Sequence, residues 1–249
     1  MINVVPADRQ LSGSFDEGKI TEKKIIGFPH EVGTTKAYSN LFYWAYAKSI
    51  NGGLIAQHPH KAFEILTYVI KGTIEHFDNK NNDWIKLSAG DLQVIRAGSG
   101  IEHAEKLNAG SEIFQIWFDP DIKKSLSTPA SYNDYKAEQF DSHQTQDLNV
   151  KVIVGEGSPV QINTPGVEIK IISGDKGKYT QYFSDTDVFS VFVLEGAISG
   201  NNAYLQKGDF VSINASLELT ITSEEEWKIF MIKTPADPGY QTYTQQHGS

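Results

Sequence analysis

The chain has 249 residues, enough for one large domain or two small ones, and its 39% hydrophobic and 21% charged content is that of a soluble globular protein. A net charge of −9 with no basic block leaves out the electrostatic footprint of direct nucleic-acid or anionic-lipid binding. The absence of cysteine excludes disulfides, zinc–thiolate sites and cysteine nucleophiles, and it fits a reducing compartment.

The N-terminal stretch "MINVVPADRQLSGSFDEGK" lacks a basic region followed by an apolar core, so it does not read as a signal peptide. No run approaches the roughly 20 apolar residues of a membrane helix, and a cytoplasmic protein with no membrane attachment is the expectation. From there the chain reads as β. "NLFYWAYAKS" is strand-like and carries Phe42, Tyr43, Trp44 and Tyr46, read as packing residues of which one reaches a ligand. Short runs rich in Val, Ile, Phe and Tyr follow at Ile65–Ile70, Leu92–Ile95, Ile113–Phe118, Val150–Val154, Val167–Ile172, Phe189–Leu194, Phe210–Ile213, Leu217–Ile221 and Trp227–Ile232. Turn residues separate them, among them the expected hairpin tip "DNKNND" at Asp78–Asp83. Closely spaced strands of this kind predict a sandwich or barrel. The polar segment from Pro120 to about Asn149 breaks the pattern and reads as a connection with a short helical turn, with His143 at the surface.

An internal repeat divides the chain. "FEILTYVIKGTI" (Phe63–Ile74) aligns with "DVFSVFVLEGAI" (Asp187–Ile198), and "AGDLQVI" (Ala89–Ile95) with "KGDFVSI" (Lys207–Ile213). Both copies run strand, Gly, hairpin, Gly-Asp turn, strand, which implies a duplicated β domain. Asp91 is read as a turn residue, and Gly98 and Gly100 as permitting a tight turn before His103.

Four histidines, His58, His60, His76 and His103, lie within one half. In "QHPHKAFE", His58 and His60 are spaced i, i+2 and share a strand face. In "AGSGIEHAEK", His103 and Glu105 make a second such pair. Two pairs converging from neighbouring strands would offer three imidazoles and a carboxylate, a donor set for a divalent first-row metal. Glu64 competes for the carboxylate role if the strand bearing His58 and His60 runs on unbroken. His76 reads as a neighbour of the site or a pocket residue. Gln115 and Trp117 alternate along "FQIWFD" and are candidate pocket residues on one face. By the repeat offsets, His58 and His60 correspond to Tyr182 and Ser184, and His103 and Glu105 to Ile221 and Ser223, so one metal per chain is expected, in the first half only.

These residues resemble the cupin superfamily, whose first motif matches His58, His60, Glu64 and Gly72 and whose second matches Gly90 and His103. The stretches "HPHKAFEILTYVIKGTIEHFD" and "GDLQVIRAGSGIEHAE" are similar, more specifically, to the pirin family. The resemblance covers roughly residues 50–120. Ala62 stands where the family pattern has Gly, and "VIRAG" replaces "WMTAG". The resemblance implies an all-β bicupin of two jelly-roll barrels: a metal-binding barrel over 1–120, a polar connection over 121–149 and a degenerate barrel over 150–249. It implies His58, His60, His103 and Glu105 as metal ligands, with Fe(II) first and Mn, Ni, Co or Zn as alternatives, and leaves Glu64 nearby as a base.

Three functions follow from it. One is a dioxygenase of the quercetin 2,3-dioxygenase type, acting on a small aromatic flavonol and dioxygen with Glu105 or Glu64 as base. A carboxylate beside a dication stays ionised, so that role needs substrate to displace it or a neighbour to raise its pKa. The others are a metal-dependent regulator that binds a protein partner, and a small-molecule-binding cupin.

Overall fold

Gly-Asp turns anchor the same framework twice. In a computed structural model of the chain, which describes residues 1–247 apart from 34, 81, 146, 201, 202 and 216, Gly90 and Gly208 have φ of 90° and 93°. Both are conformations that favour glycine. A Cβ on Gly90 would stand 2.7 Å from the Ala137 methyl, and one on Gly208 would stand 3.1 Å from that of Ala7. The adjoining aspartates work alike. Asp91 accepts the amides of Ser88 and Ala137, each at 2.9 Å, and the Lys136 ammonium at 2.9 Å. Asp209 accepts the amides of Gln206 at 3.0 Å and Ala7 at 2.9 Å.

The strands in chain order are β1 (Ile2–Val5), β2 (Leu11–Phe15), β3 (Ile20–Ile26), β4 (Leu41–Ser49), β5 (Gly53–His60), β6 (Glu64–Lys71), β7 (Thr73–Asp78), β8 (Trp84–Ser88), β9 (Leu92–Arg96), β10 (Ile101–Leu107) and β11 (Ser111–Phe118). After the short helix α1 (Ile122–Ser125) come β12 (Ser131–Tyr135), β13 (Ser142–Thr145), β14 (Leu148–Val154), β15 (Glu168–Gly174), β16 (Gly177–Phe183), β17 (Asp187–Glu195), β18 (Ala197–Gly200), β19 (Ala203–Gln206), β20 (Phe210–Ile213), β21 (Leu217–Ser223) and β22 (Trp227–Pro235). The helix α2 (Tyr243–His247) follows. Each expected strand coincides with one of this set, the one expected from Val167 beginning at Glu168. The β7–β8 hairpin spans the predicted tip, of which Asn81 lies outside the described residues. No helix among the described residues is long and apolar enough to cross a membrane.

Two compact units result. The N-terminal unit is Leu11–Glu138 with Ile162–Thr164 and Tyr240–Ser249; the C-terminal unit is Met1–Gln10, Gln139–Gln161 and Pro165–Gly239. Each stacks a seven-stranded sheet on a four-stranded one, the two-layer plan of a jelly roll. The N-terminal unit has the orders β12-β9-β6-β11-β4-β3-β2 and β5-β10-β7-β8, and the C-terminal unit has β1-β20-β17-β22-β15-β14-β13 and β16-β21-β18-β19. The two share one strand order except at one edge, where the N-terminal unit uses its last strand, β12, and the C-terminal unit its first, β1.

This division differs from the boundaries expected at 120 and 150. Residues 1–10 belong to the C-terminal unit through β1, which pairs with β20. The supposed connection is structured: β12 pairs with β9 in the N-terminal unit, and β13 pairs with β14 in the C-terminal unit. Its polarity misleads because both are edge strands; β13, with His143, is exposed along its whole length. An edge strand needs little apolar surface and is kept polar to discourage further pairing.

Asp91→Ala is expected to lower the unfolding free energy by about 2–3 kcal/mol, since it orphans two backbone amides, and Asp209→Ala to act similarly in the other unit. Urea denaturation measures both; losses under about 1 kcal/mol would show that the turns hold without the carboxylates.

Candidate metal centre

The pairing of β5 with β10 sets the site. His103 stands opposite His58, and Ile101 opposite His60. A bulge follows, so that Glu105 faces Ile55. Gly98 and Gly100, at φ of 50° and 141°, turn the chain into β10, and a Cβ on Gly98 would lie 2.3 Å from the Thr128 carbonyl. On the other side β10 pairs with β7, placing Asp78 opposite His103 and His76 opposite Glu105.

Three imidazoles converge. Nitrogens of His58, His60 and His103 all lie within 4.8 Å of one another, and Nε2 of His58 is 3.1 Å from Nε2 of His103. Ligands at about 2.1 Å from a common ion would stand about 3.0 Å apart at right angles and about 3.4 Å apart in a tetrahedron, so this spacing fits a shared metal. Nε2 of His60 is buried with no hydrogen-bond partner, as a donor atom awaiting a cation would be. His58 Nδ1 lies 2.7 Å from the Ala56 carbonyl, which holds the proton there and leaves Nε2 for a metal.

Burial keeps His60, His103 and His76 neutral. It takes His60 down to about 3, with the charge of His58 adding to it. Burial and then the neighbouring His60, His58 and His76 take His103 down to about 2. His76 falls to about 4 by burial, against the pull of Asp78. Neutral imidazole is the ligating form, so protons compete poorly with a metal here.

Glu105 is not in the three-histidine cluster. Its Oε1 accepts the Thr67 hydroxyl at 3.0 Å, and its other oxygen accepts the Gln115 amide. Gln115 in turn accepts Trp117 Nε1 at 3.2 Å. Burial pushes the Glu105 carboxyl up to about 7, with the Thr67 bond pulling it down. All the same, Glu105, Gln115 and Trp117 line one cavity of about 340 Å³ with His58 and His60. His76, fully buried, sits behind His103 with Nε2 3.2 Å from His103 Nδ1.

Glu64 lies elsewhere. The strand bearing the histidines ends at His60, and the chain turns through Ala62 at φ 71° before β6 begins, so the shared parity expected of Glu64 is broken. Its carboxylate accepts the amides of Asn163 and Thr164 at 2.6 and 2.8 Å and the Thr164 hydroxyl at 2.5 Å. The Arg96 guanidinium is 3.8 Å away, which assigns a partner to the Arg in "VIRAG". A base role for Glu64 has no support in this arrangement.

Sequence reasoning missed several cavity residues. Phe28 stacks on Tyr43 with ring centroids 4.4 Å apart, and Trp117 meets Phe28 edge-on at 5.4 Å. Tyr43 donates to Glu22 at 2.9 Å. Of the aromatic run, Tyr43 is the one that lines the cavity, while Trp44 is fully buried core. The alternation of Glu22 and Lys24 along β3 was the one available signal for this polar wall.

The equivalent place in the C-terminal unit follows from the sheet register. Leu219 faces Gln181 and Leu217 faces Phe183, as His103 faces His58 and Ile101 faces His60. Gln181, Phe183, Leu219 and Ile221 therefore replace His58, His60, His103 and Glu105. This corrects the correspondence to Tyr182, Ser184, Ile221 and Ser223, which carried the repeat offsets across loops of unequal length. No imidazole or carboxylate stands at any of the four positions.

The family model for pirin matches residues 20–118. A quercetin 2,3-dioxygenase of Escherichia coli O157:H7 is 38% identical over 181 residues, 72% of this chain and 75% of that protein. The chain belongs to the pirin family. A pirin-like protein of Caulobacter vibrioides is 30% identical over 181 residues, 70% of this chain and 75% of its own. A Pasteurella multocida relative matches over a shorter stretch, 42% identical across 91 residues and 38% of its length. Among solved structures, the bacterial pirin YhhW of Escherichia coli in complex with nickel(II) aligns with a TM-score of 0.76 at 21% identity, covering 94% of this chain and 99% of that one. An oxalate decarboxylase of Lactobacillus farciminis aligns with a TM-score of 0.67 at 13% identity, over 95% and 86% of the two chains. At these identities the structural likeness establishes the pirin and cupin fold alone, within which the three histidines here are placed to hold a divalent metal.

With no metal bound, Glu105 carries its own pH signature. Between its unperturbed 4.5 and the raised value of about 7, the native state keeps a proton that the unfolded chain has released, so stability falls as pH rises through that window. Metal-free wild type should therefore lose stability relative to Glu105→Gln from pH 5 to pH 8 in urea titrations. Parallel curves would mean that Glu105 ionises freely in the native state.

Proposed function

We propose that this pirin is a metal-dependent oxygenase that opens the ring of a flavonol such as quercetin with dioxygen. The observation that carries the reading is the convergence of three imidazoles beside an aromatic-walled cavity that His58, His60 and the buried Glu105 line. One divalent metal per chain, iron(II) first among the candidates, is held by His58, His60 and His103, with Glu105 as the carboxylate that completes the set. When bound, such a metal supplies Lewis acidity and, if redox-active, coupling to dioxygen.

The chain's own residues do the rest. Phe28, Tyr43 and Trp117 offer flat faces and edges for a planar polyphenol in a cavity of about 340 Å³, within the range of small-molecule sites. Glu105 is the base for the flavonol hydroxyl proton. In the metal-free chain burial holds its pKa up to about 7, the range of a general base at neutral pH. Gln115, anchored by Trp117, holds the second carboxylate oxygen in place. The relatives named quercetin 2,3-dioxygenase support the substrate class.

Oxygen uptake over a flavonol panel tests this with iron-loaded protein. Wild type should consume dioxygen with at least one flavonol, and Glu105→Ala should lower kcat by about 100-fold or more. No turnover of any flavonol by fully loaded wild type would overturn the enzyme reading in favour of a metal-dependent regulator.

A further inference from the structure

We propose that His76 and Asp78, on the strand beside the site, are positioning residues that set the tautomer of His103, leaving its unprotonated nitrogen toward His58 and His60. The proposal rests on the three-histidine reading and adds to it two residues outside that cluster.

His103 has one ring nitrogen on each side of this problem. Its Nε2 lies 3.1 Å from His58 Nε2 and belongs to the cluster. Its Nδ1 lies 3.2 Å from His76 Nε2. Between two neutral imidazole nitrogens at that distance only one proton fits, and one ring donates while the other accepts. If His103 ligates through Nε2, its proton sits on Nδ1 and is donated to His76 Nε2. The proton of His76 then sits on its own Nδ1, the atom that faces Asp78 Oδ2 at 3.9 Å. At 3.9 Å the attraction is that of a charge for an N–H dipole rather than a hydrogen bond. The opposite arrangement would turn a lone pair of His76 toward the carboxylate and place a proton on His103 Nε2, against the other ligands.

The site is dry enough for this preference to count. His76, Asp78 and His103 are all fully buried, where electrostatic interactions are least screened. The cross-strand register delivers the parts, with Asp78 opposite His103 and His76 opposite Glu105. Asp78 is itself fixed, accepting the Lys80 amide at 2.8 Å through Oδ1. His58 needs no such help, because the Ala56 carbonyl settles its tautomer locally. Partners of this kind behind a ligating histidine orient the ring and set its basicity.

Cobalt(II) titration of the metal-free full chain by calorimetry tests the idea, with His58→Ala as control. His76→Phe should bind cobalt about 10- to 100-fold more weakly than wild type. His76→Gln should restore binding to within a few-fold, since its amide oxygen accepts from His103 Nδ1 while its amide nitrogen faces Asp78. Asp78→Asn should also weaken binding, about 10-fold, because an amide donor facing His76 Nδ1 favours the wrong tautomer in a side chain of unchanged size. Cobalt affinity unchanged in both His76→Phe and Asp78→Asn, or His76→Gln as weak as His76→Phe, would overturn the proposal. Should His76→Phe not fold, by circular dichroism, Asp78→Asn decides alone. Wild type that binds no cobalt would overturn the three-histidine reading itself; wild-type binding lost in His58→Ala but retained in His76→Phe and Asp78→Asn would sink only this inference.

Discussion

Everything at the site depends on the register of β10 between β5 and β7. A slip of one residue on either side would turn His103 and Glu105 outward and bring Glu102 and Ala104 in, because side chains alternate with a period of two. Both neighbours hold the register: β5 brings His58 opposite His103, and β7 brings Asp78 there from the other side. The glycine turn before β10 and the bulge within it adjust the aim of the strand. Three imidazoles in mutual contact, one fully buried and two half-buried, would be a poor arrangement by themselves, since they lose hydration and gain little. A shared cation is the partner that makes such a cluster favourable.

The two buried glutamates show how environment separates residues of one type. Glu64 receives three hydrogen bonds and lies near a guanidinium, so it acts as a tie between β6 and the short segment Ile162–Thr164. Glu105 has two neutral donors, and in the metal-free chain burial dominates its ionisation. The first is committed to structural contacts. The second is held near neutrality and remains available for chemistry at the cavity wall.

The duplicated framework carries a different interior in each copy. Apart from the edge strands β12 and β1, strand order and the Gly-Asp turns agree between the units. Phe183 and Ile221, at two of the four site positions in the C-terminal unit, belong to an apolar cluster with Trp227 and Met231, and Leu219 packs against it. That unit lines mostly with hydrocarbon the space that the N-terminal unit lines with polar donors, a substitution the sheet tolerates because the frame is held by backbone pairing and the turn aspartates.

Much of this was legible locally. Alternating apolar runs mark strands wherever one face is buried, so the principal strands and the all-β class could be read directly. The i, i+2 spacing put His58 with His60 and His103 with Glu105 on common faces. Polar edge strands, by contrast, carry no apolar signal, and β12 and β13 passed for a connection. The offsets of the repeat misplaced the C-terminal counterparts because loop lengths are invisible to a local alignment. Only the tertiary structure decided which carboxylate faces the cavity, that Tyr43 and Phe28 form its wall, and that His76 backs His103. Those are facts about pairing across strands distant in sequence and about burial, and both arise when the sheets close on one another. The residue types and their spacing determined what chemistry the chain can offer; the register determined which of them meet.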